Sequence, residues 1–183
     1  KTLTGGYLPL AVTLTTQKIY DAFLGEFSEG KTFLHGHTFA ANPLATAVSI
    51  KNIEKLRLYI ENGALQRICD YFGKSIESYF AKHPFVKSVR QRGLACAIEL
   101  YPGSNSSLQT FNPNERIAHH LSLFLRQKEV LLRGVGNTLL LVPPLCITDL
   151  EIDFLCKQTA AAISEYVHEF VICRSGTSLS IAI

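Results

Sequence analysis

The sequence begins with Lys1-Thr-Leu-Thr-Gly-Gly-Tyr-Leu-Pro-Leu-Ala-Val-Thr-Leu-Thr-Thr16, a stretch that combines a glycine pair with several hydroxyl side chains. Its hydroxyls and the backbone amides of Gly5 and Gly6 would suit a phosphate, because glycine lets the main chain approach an anion closely. Lys1 precedes the glycines instead of following them, so the stretch is not a Walker sequence. Spacing alone favours a plain tight turn over a phosphate site at this position.

A second loop, His35-Gly-His-Thr-Phe39, ends near Asn42-Pro43, where an N-cap residue is followed by proline at the first helical position. Helix N-termini favour anions, and the hydroxyl of Thr38 would add a donor there. His35 and His37 alternate, which would allow metal chelation, but a third ligand is not nearby in the sequence. We therefore prefer a polar turn to a metal site and expect no metal.

Arg133 lies between apolar strand residues in Leu131-Leu-Arg-Gly134. An isolated arginine in such a strand is usually paired with a carboxylate, or its guanidinium reaches solvent. Its two-pronged geometry would alternatively clamp the carboxylate of a ligand. The residues alone leave these alternatives open.

Hydrophobic periodicity predicts a mixture of helices and short strands, which is typical of α/β or α+β architecture. The expected elements are a β-prone stretch at 8–14, helices from about 17 to 29, from 42 and from 62 to 82, strands at 86–92 and 94–100, a helix at 112–128, strands at 130–133 and 138–142, and a last helix capped by Thr148. The last helix is expected to turn six residues inward: Leu150, Phe154, Leu155, Ala162, Ile163 and Val167. The tail at 173–183 fits none of these patterns, and we make no prediction of its structure.

Composition restricts the class of protein. The chain has 183 residues, 47% of them hydrophobic and 18% charged, which argues against disorder. A formal charge of +3 is too small for a nucleic-acid-binding surface, so we expect no nucleic-acid partner. No apolar run approaches the ~18–20 residues of a membrane span, so we expect no membrane insertion either. The cysteines are scattered without a C-x-x-C pair, which favours buried free thiols and a cytoplasmic location.

Three segments taken together resemble a known family. Lys1–Thr16 is similar to the segment that begins at the cofactor lysine in class III (fold type I) pyridoxal-phosphate aminotransferases. Phe33–Ala45 is similar to the next block of that family, and Leu131–Gly134 with Leu139–Leu145 to its arginine strand and the partner strand. The similarity is closest to the adenosylmethionine–8-amino-7-oxononanoate aminotransferases of biotin synthesis.

The resemblance implies roles for five residues. Lys1 would be the lysine whose ε-amine links covalently to the cofactor, pyridoxal 5'-phosphate, and then moves a proton between substrate and cofactor carbons. Thr38 would bind the cofactor phosphate of the neighbouring subunit, with Gly36 and His37 beside it in the substrate pocket. Arg133 would receive the carboxylate of the oxo-acid substrate.

The family fold implies an α/β, fold type I transferase that forms a homodimer with sites shared across the interface. Residues 1–41 would belong to the large cofactor-binding domain, 42–60 to a connecting helix and 61–172 to the small C-terminal α+β domain, followed by the tail at 173–183. The family's acidic, aromatic and phosphate-loop residues precede the lysine. Since the chain starts at Lys1 and contains no methionine, we expect a C-terminal fragment of a longer enzyme.

The implied activity is transfer of an amino group to 8-amino-7-oxononanoate, which yields 7,8-diaminononanoate for biotin synthesis. S-adenosylmethionine would be the donor, with lysine as the alternative. Leu3-Thr-Gly-Gly-Tyr7 favours this branch, because other members more often have a glycine run there. The alternatives are another class III ω-aminotransferase or aminomutase, and an inactive truncated remnant. For an enzyme, the partners would be small molecules: an oxo acid and an amino donor.

Overall fold

The structure, a computed structural model, describes residues 1–104 and 110–174, with side chains to residue 170. The chain divides into two compact units, Lys1–Asn62 and Gly63–Ile183. The predicted division into a large-domain part, a connecting helix and a small domain stays a prediction. The last helix continues to Arg174, and the rest of the predicted tail lies outside the described residues.

The first unit contains two α-helices, α1 at Gln17–Asp21 and α2 at Pro43–Glu61, all of its residues being described. The helix predicted from about 17 to 29 is too long, because α1 ends at Asp21 and only a single 3-10 turn follows, at Phe27–Glu29. The apolar side chains that suggested the longer helix stay exposed, as Phe27 does at 95%. A short helix without a buried face gains little from its apolar spacing.

The β-prone stretch at 8–14 does not form a strand, since it has no regular secondary structure. Its side chains gain little burial within the unit, and Leu14 remains 88% exposed. Pro9 lacks an amide donor, and no strand among the described residues of this unit pairs with the segment. A β-prone composition therefore does not produce a strand here.

The predicted start of α2 is confirmed in detail. The Asn42 side-chain oxygen accepts hydrogen bonds from the amides of Leu44, at 3.0 Å, and Ala45, at 3.1 Å. Pro43 occupies the first helical position, where its missing amide costs nothing. This cap satisfies two amides that a helix otherwise leaves without an intrahelical partner.

The second unit is an antiparallel sheet packed against helices. Its described elements are α3 (Ala64–Phe80), β1 (Val86–Arg92), β2 (Ala95–Leu100), α4 (Ile117–Arg126), β3 (Arg133–Val135), β4 (Thr138–Leu141) and α5 (Asp149–Arg174). The four strands described pair in the order β1-β2-β4-β3. α5 contacts both α3 and α4, and α4 contacts β3 and β4. The predictions for α3, β1 and β2 are confirmed to within two residues at each end.

Two predicted elements of this unit are displaced. The helix expected at 112–128 begins as a 3-10 turn, and α4 starts only after Arg116, whose φ of 50° interrupts the helical backbone. The strand expected at 130–133 lies later, at Arg133–Val135, because the tight turn to β4 is made at Gly136 with φ 57°. Glycine adopts this left-handed conformation at little cost, so it fixes the turn.

The core lies between the sheet and the helices, and its largest fully buried side chains are Phe72, Phe80, Phe111, Ile98, Leu100, Ile117, Leu121, Leu125, Leu139, Leu141, Ile152 and Ile163. The inward prediction for α5 holds for Ala162, Ile163 and Val167 but is wrong for Leu150 and Phe154, which are 81% and 43% exposed. Ile152 is buried instead, and Leu150 lies about 200° around the helix from it.

The free cysteines differ in burial. Cys96 and Cys156 are buried, as predicted, whereas Cys69 is half-buried and Cys146 is exposed. Burial raises the pKa of the Cys96 thiol to about 11 and that of Cys156 to about 12. A thiol whose pKa is raised in this way stays protonated at neutral pH and is a poor nucleophile.

β3 and α4 approach each other so closely at Gly134 that a side chain does not fit. A Cβ atom at this position would overlap the carbonyl group of Ala118 and lie 2.6 Å from the amide nitrogen of His119. These are backbone atoms, so relieving the overlap requires the helix or the strand to move. The strand that carries Arg133 therefore owes its distance from α4 to this glycine.

Gly134→Ala is expected to lower the free energy of unfolding by about 3 kcal/mol, because the added methyl group overpacks against backbone. Gly136→Ala is the matched control: it has φ 57° but open space around it, so it should cost only about 1 kcal/mol. Urea unfolding followed by circular dichroism measures both. Equal losses for the two variants would contradict close packing at Gly134.

His83 joins the end of α3 to α5. Its Nδ1 accepts the amide of Phe85 at 3.3 Å, so Nε2 carries the proton and donates to the Ala160 carbonyl at 3.1 Å or to the Ser164 hydroxyl at 2.9 Å. Burial lowers the pKa of His83 below its ordinary value, although the Ala160 carbonyl opposes this in part. Folding therefore favours the neutral ring.

The stabilisation by neutral His83 should be complete above its unfolded pKa of about 6.5 and should be lost as the pH falls through the lower folded pKa. His83→Gln keeps an amide donor and does not titrate. We expect the unmodified chain to lose more unfolding free energy than this variant between about pH 7.5 and about pH 5.5. Parallel pH profiles for the two chains would show that His83 is not responsible.

Candidate active site

Lys1 begins a tight turn that closes on its own backbone. The Lys1 carbonyl accepts hydrogen bonds from the amides of Thr4, at 3.2 Å, and Gly6, at 3.1 Å. Gly5 and Gly6 have φ values of 64° and 85°, which other residues adopt only with strain. The interpretation of this stretch as a tight turn is confirmed, and the glycines are needed for its backbone.

Within the turn, the hydroxyl of Thr4 is buried and already bonded. Thr4 is only 1% exposed, and its hydroxyl donates to the carbonyl of Leu8 at 2.5 Å. That donor is therefore used within the chain and is not available to a phosphate. From α2, the side-chain nitrogen of Asn52 donates to the carbonyls of Thr2, at 2.6 Å, and Leu3, at 3.3 Å.

The loop that precedes α2 presents Gly36, His37 and Thr38 on the surface. The Nδ1 atom of His37 accepts the amide of Phe39 at 3.2 Å, which leaves Nε2 as the donor of the neutral ring. The His37 carbonyl accepts the Ala40 amide at 2.9 Å and so closes a turn around Thr38. Among the described residues, no hydrogen-bond partner of the Thr38 hydroxyl is found, so it is available to an external acceptor.

Lys1 and His37 lie on one concavity of the first unit, with a volume of about 1020 Å³. The other lining residues include Tyr7, Pro9 and Asn42. Gly36 and Thr38 do not line this concavity, although both neighbour His37 in the sequence. The structure thus brings together two of the four predicted site residues of this unit.

Arg133 lies in the second unit, at the start of β3, opposite Leu140 of β4. It is exposed and, within the described residues, forms no ion pair. Of the two plain alternatives, a carboxylate partner is not found among the described residues, whereas the exposure of Arg133 agrees with a guanidinium that reaches solvent. Its five donors are open to an external anion. Arg133 also lines an apolar groove of about 590 Å³ that includes Leu131, Val142 and Phe154.

A family model for aminotransferase class III matches residues 1–163, which include the lysine turn, the histidine loop and the arginine strand. The chain belongs to the class-III aminotransferase family. This class-III chain is 40% identical over 155 residues to an adenosylmethionine-8-amino-7-oxononanoate aminotransferase of Geobacter sulfurreducens, a match that covers 85% of this chain and 34% of that protein. The protein of the same name from Methanocaldococcus jannaschii is 38% identical over 167 residues, covering 90% and 35%.

The crystal structure of the Methanocaldococcus jannaschii enzyme aligns with a TM-score of 0.80 at 36% identity, over 89% of this class-III chain and 37% of that chain. The likeness confirms the predicted α/β fold class of the fold type I aminotransferases. The chain spans about a third of the length of the curated relatives it matches.

The part of the chain that the structure describes shows neither a membrane-spanning helix nor a metal-binding cluster. No helix there combines the length and apolarity needed to cross a membrane. In the same residues, no group of three or more His, Cys, Asp or Glu side chains is arranged to hold a metal ion.

Sequence reasoning missed Asn52, which donates to the carbonyls of Thr2 and Leu3. One signal was present: Asn52 lies three residues after Ser49 and seven after Ala45, the two buried residues of α2. A polar residue on the covered face of a helix needs a hydrogen-bond partner. The partner itself, 50 residues earlier in the chain, has no local signature.

The Asn42 cap permits a direct test of the helix start beside the concavity. Asn42→Ala should speed hydrogen exchange of the Leu44 and Ala45 amides by about fivefold, because a cap contributes about 1 kcal/mol. Asn42→Asp retains the acceptor oxygen and should leave both rates nearly unchanged. If both variants exchange alike, the side-chain cap does not hold these amides.

Proposed function

We propose that this chain supplies Lys1 to the active site of a pyridoxal 5'-phosphate-dependent aminotransferase. The proposed reaction converts 8-amino-7-oxononanoate to 7,8-diaminononanoate in biotin synthesis, with S-adenosylmethionine as amino donor. The observation that supports it most is that Lys1 and His37 line the same concavity. Both residues lie in the region matched by the class III family model, and relatives similar over this region are named adenosylmethionine-8-amino-7-oxononanoate aminotransferases. We further propose a cytoplasmic homodimer, in which the sites are shared between subunits.

The donor set fits the cofactor. A primary amine at Lys1 suits the cofactor's aldehyde, and the concavity has room for a ring with a phosphate arm. When bound, pyridoxal phosphate supplies an electron sink for the carbon that bears the amino group. Lys1 would anchor this group through its Nζ atom and, when released, hold and return the proton of that carbon at the same atom.

The remaining residues would bind and orient the cofactor and the substrate. The unengaged Thr38 hydroxyl would donate to the phosphate, which in the family belongs to the neighbouring subunit. His37, with its Nε2 proton, and Gly36, which has no side chain, would line the substrate pocket. Arg133 would bind the substrate carboxylate through two parallel N–H donors, for which its lack of an intrachain ion pair leaves it available.

The role of Lys1 predicts selective labelling. When the chain is mixed with pyridoxal phosphate and reduced with borohydride, peptide mapping should assign the label to the Lys1 Nζ atom ahead of other lysines. Lys1→Arg should abolish this label, while Lys51→Arg should not, since Lys51 is exposed and paired only with Glu54 among the described residues. Labels distributed among the lysines according to exposure would contradict the role.

Substrate identity is tested separately on the protein that carries this chain. Amination of 8-amino-7-oxononanoate should proceed with S-adenosylmethionine and depend on Lys1. Turnover with lysine but not with S-adenosylmethionine would show that lysine is the amino donor. Turnover only with other ω-amino acids would show that the enzyme has another class III activity. Arg133→Lys should raise the KM for the oxo acid by about tenfold, because one of two parallel hydrogen bonds is lost.

A further inference from the structure

We propose that Asn52 is a positioning residue for Lys1: its side-chain amide holds the lysine turn against α2 and so fixes the point from which the lysine side chain extends. The inference rests on the proposed function for its account of Lys1 chemistry. The contact itself is independent of that function.

The hydrogen bonds reach the two residues that follow the lysine. Asn52 Nδ2 donates to the Thr2 carbonyl at 2.6 Å and to the Leu3 carbonyl at 3.3 Å. The Lys1 carbonyl is engaged by the amides of Thr4 and Gly6. Three successive carbonyls are therefore bonded, so the backbone at the root of the lysine side chain has little freedom to rotate.

The turn is shaped to admit this asparagine. A Cβ atom on Gly5 would lie 3.1 Å from the Asn52 side-chain oxygen, which is tighter than an ordinary contact. Gly5 also needs its φ of 64° to close the turn. The same glycine thus supplies the backbone conformation and the space that lets the helix side chain reach the carbonyls.

Local preference does not explain an asparagine at this point of α2. Asparagine is a weaker helix former than alanine, lysine or leucine, because its side chain competes for backbone groups. Asn52 is half-buried on the face that also carries Ala45 and Ser49. Its long-range donors are therefore the gain that offsets its poor helix propensity.

A fixed root matters for a lysine that must reach one atom. The side chain has four rotatable bonds, so each uncertainty in the backbone adds to the spread of its ε-amine. Groups that perform chemistry need support from neighbouring residues to stay close to the productive geometry. Losing the Asn52 contact should therefore slow the reaction of Lys1 without unfolding the helix.

The test uses the full chain with two variants and a control. Asn52→Asp keeps the shape of the side chain but replaces the donor with an acceptor, and Asn52→Ala removes it while improving helix propensity. Lys51→Ala is the control, since it changes the adjacent exposed residue, whose ion pair is with Glu54. Circular dichroism should show unchanged helix content in all three.

Two readouts are measured. Hydrogen exchange of the Thr4 and Gly6 amides, without cofactor, should become about tenfold faster in both Asn52 variants, because the turn loses its hydrogen bonds to α2. The second readout is the amount of pyridoxal phosphate trapped by borohydride on the Lys1 Nζ atom, divided by the amount trapped on exposed Lys18. This ratio should fall by about tenfold in the same variants. Lys51→Ala should leave both readouts unchanged.

The outcomes separate the two proposals. Unchanged exchange in both Asn52 variants overturns the inference, whatever the labelling. Faster exchange with an unchanged label ratio also overturns it, because the turn would then be held without effect on Lys1. Faster exchange in a chain whose Lys1 is never labelled supports the contact and defeats the proposed function instead.

Discussion

The hydrogen bond from the Asn52 side chain to the Thr2 carbonyl is the contact through which α2 holds the lysine turn. The segment it holds has no regular secondary structure, and hydrogen bonds within the turn do not tie it to α2. The helix supplies what the segment lacks: a rigid element capped by Asn42 and long enough to carry a donor to the turn. The contact thus joins the backbone next to Lys1 to α2.

In the second unit, the strand that carries Arg133 is held in place by backbone packing. Arg133 is exposed, and its side chain forms no ion pair among the described residues that would hold it in place. Its strand is located by pairing with β4 and by the close approach of α4 at Gly134. If Arg133 has the proposed role, the position of its side chain depends on these rigid elements more than on bonds of its own.

Much of the second unit could be predicted because its signals are local. α3 and β2 follow periodic apolar residues that are buried in the structure. Thr148 caps α5 as expected: its hydroxyl oxygen accepts the Glu151 amide, and the Glu151 carboxylate accepts the Thr148 amide. The predictions are wrong where the spacing of apolar residues does not match the face of the helix that is buried. Leu150 fits an apolar stripe by spacing alone, yet the buried face of α5 runs through Ile152 and Cys156.

The site divides in the same way. Lys1 and His37 could be proposed from family blocks in the sequence, and the tight turn from its glycines. Asn52 could not, because a contact between residues 50 apart depends on how α2 packs and leaves no periodic trace. The β-prone stretch at 8–14 forms no strand for the complementary reason: a local β preference is not enough when no described strand lies alongside to pair with it.

The most direct measurement is the scalar coupling across the hydrogen bond between the Asn52 side-chain nitrogen and the Thr2 carbonyl carbon, in the isotope-labelled full chain. We expect a resolved coupling, with Asn52 side-chain protons that exchange more slowly than those of an exposed asparagine. Absence of the coupling, together with exchange at the rate of an exposed asparagine, would contradict the claim that α2 holds the lysine turn.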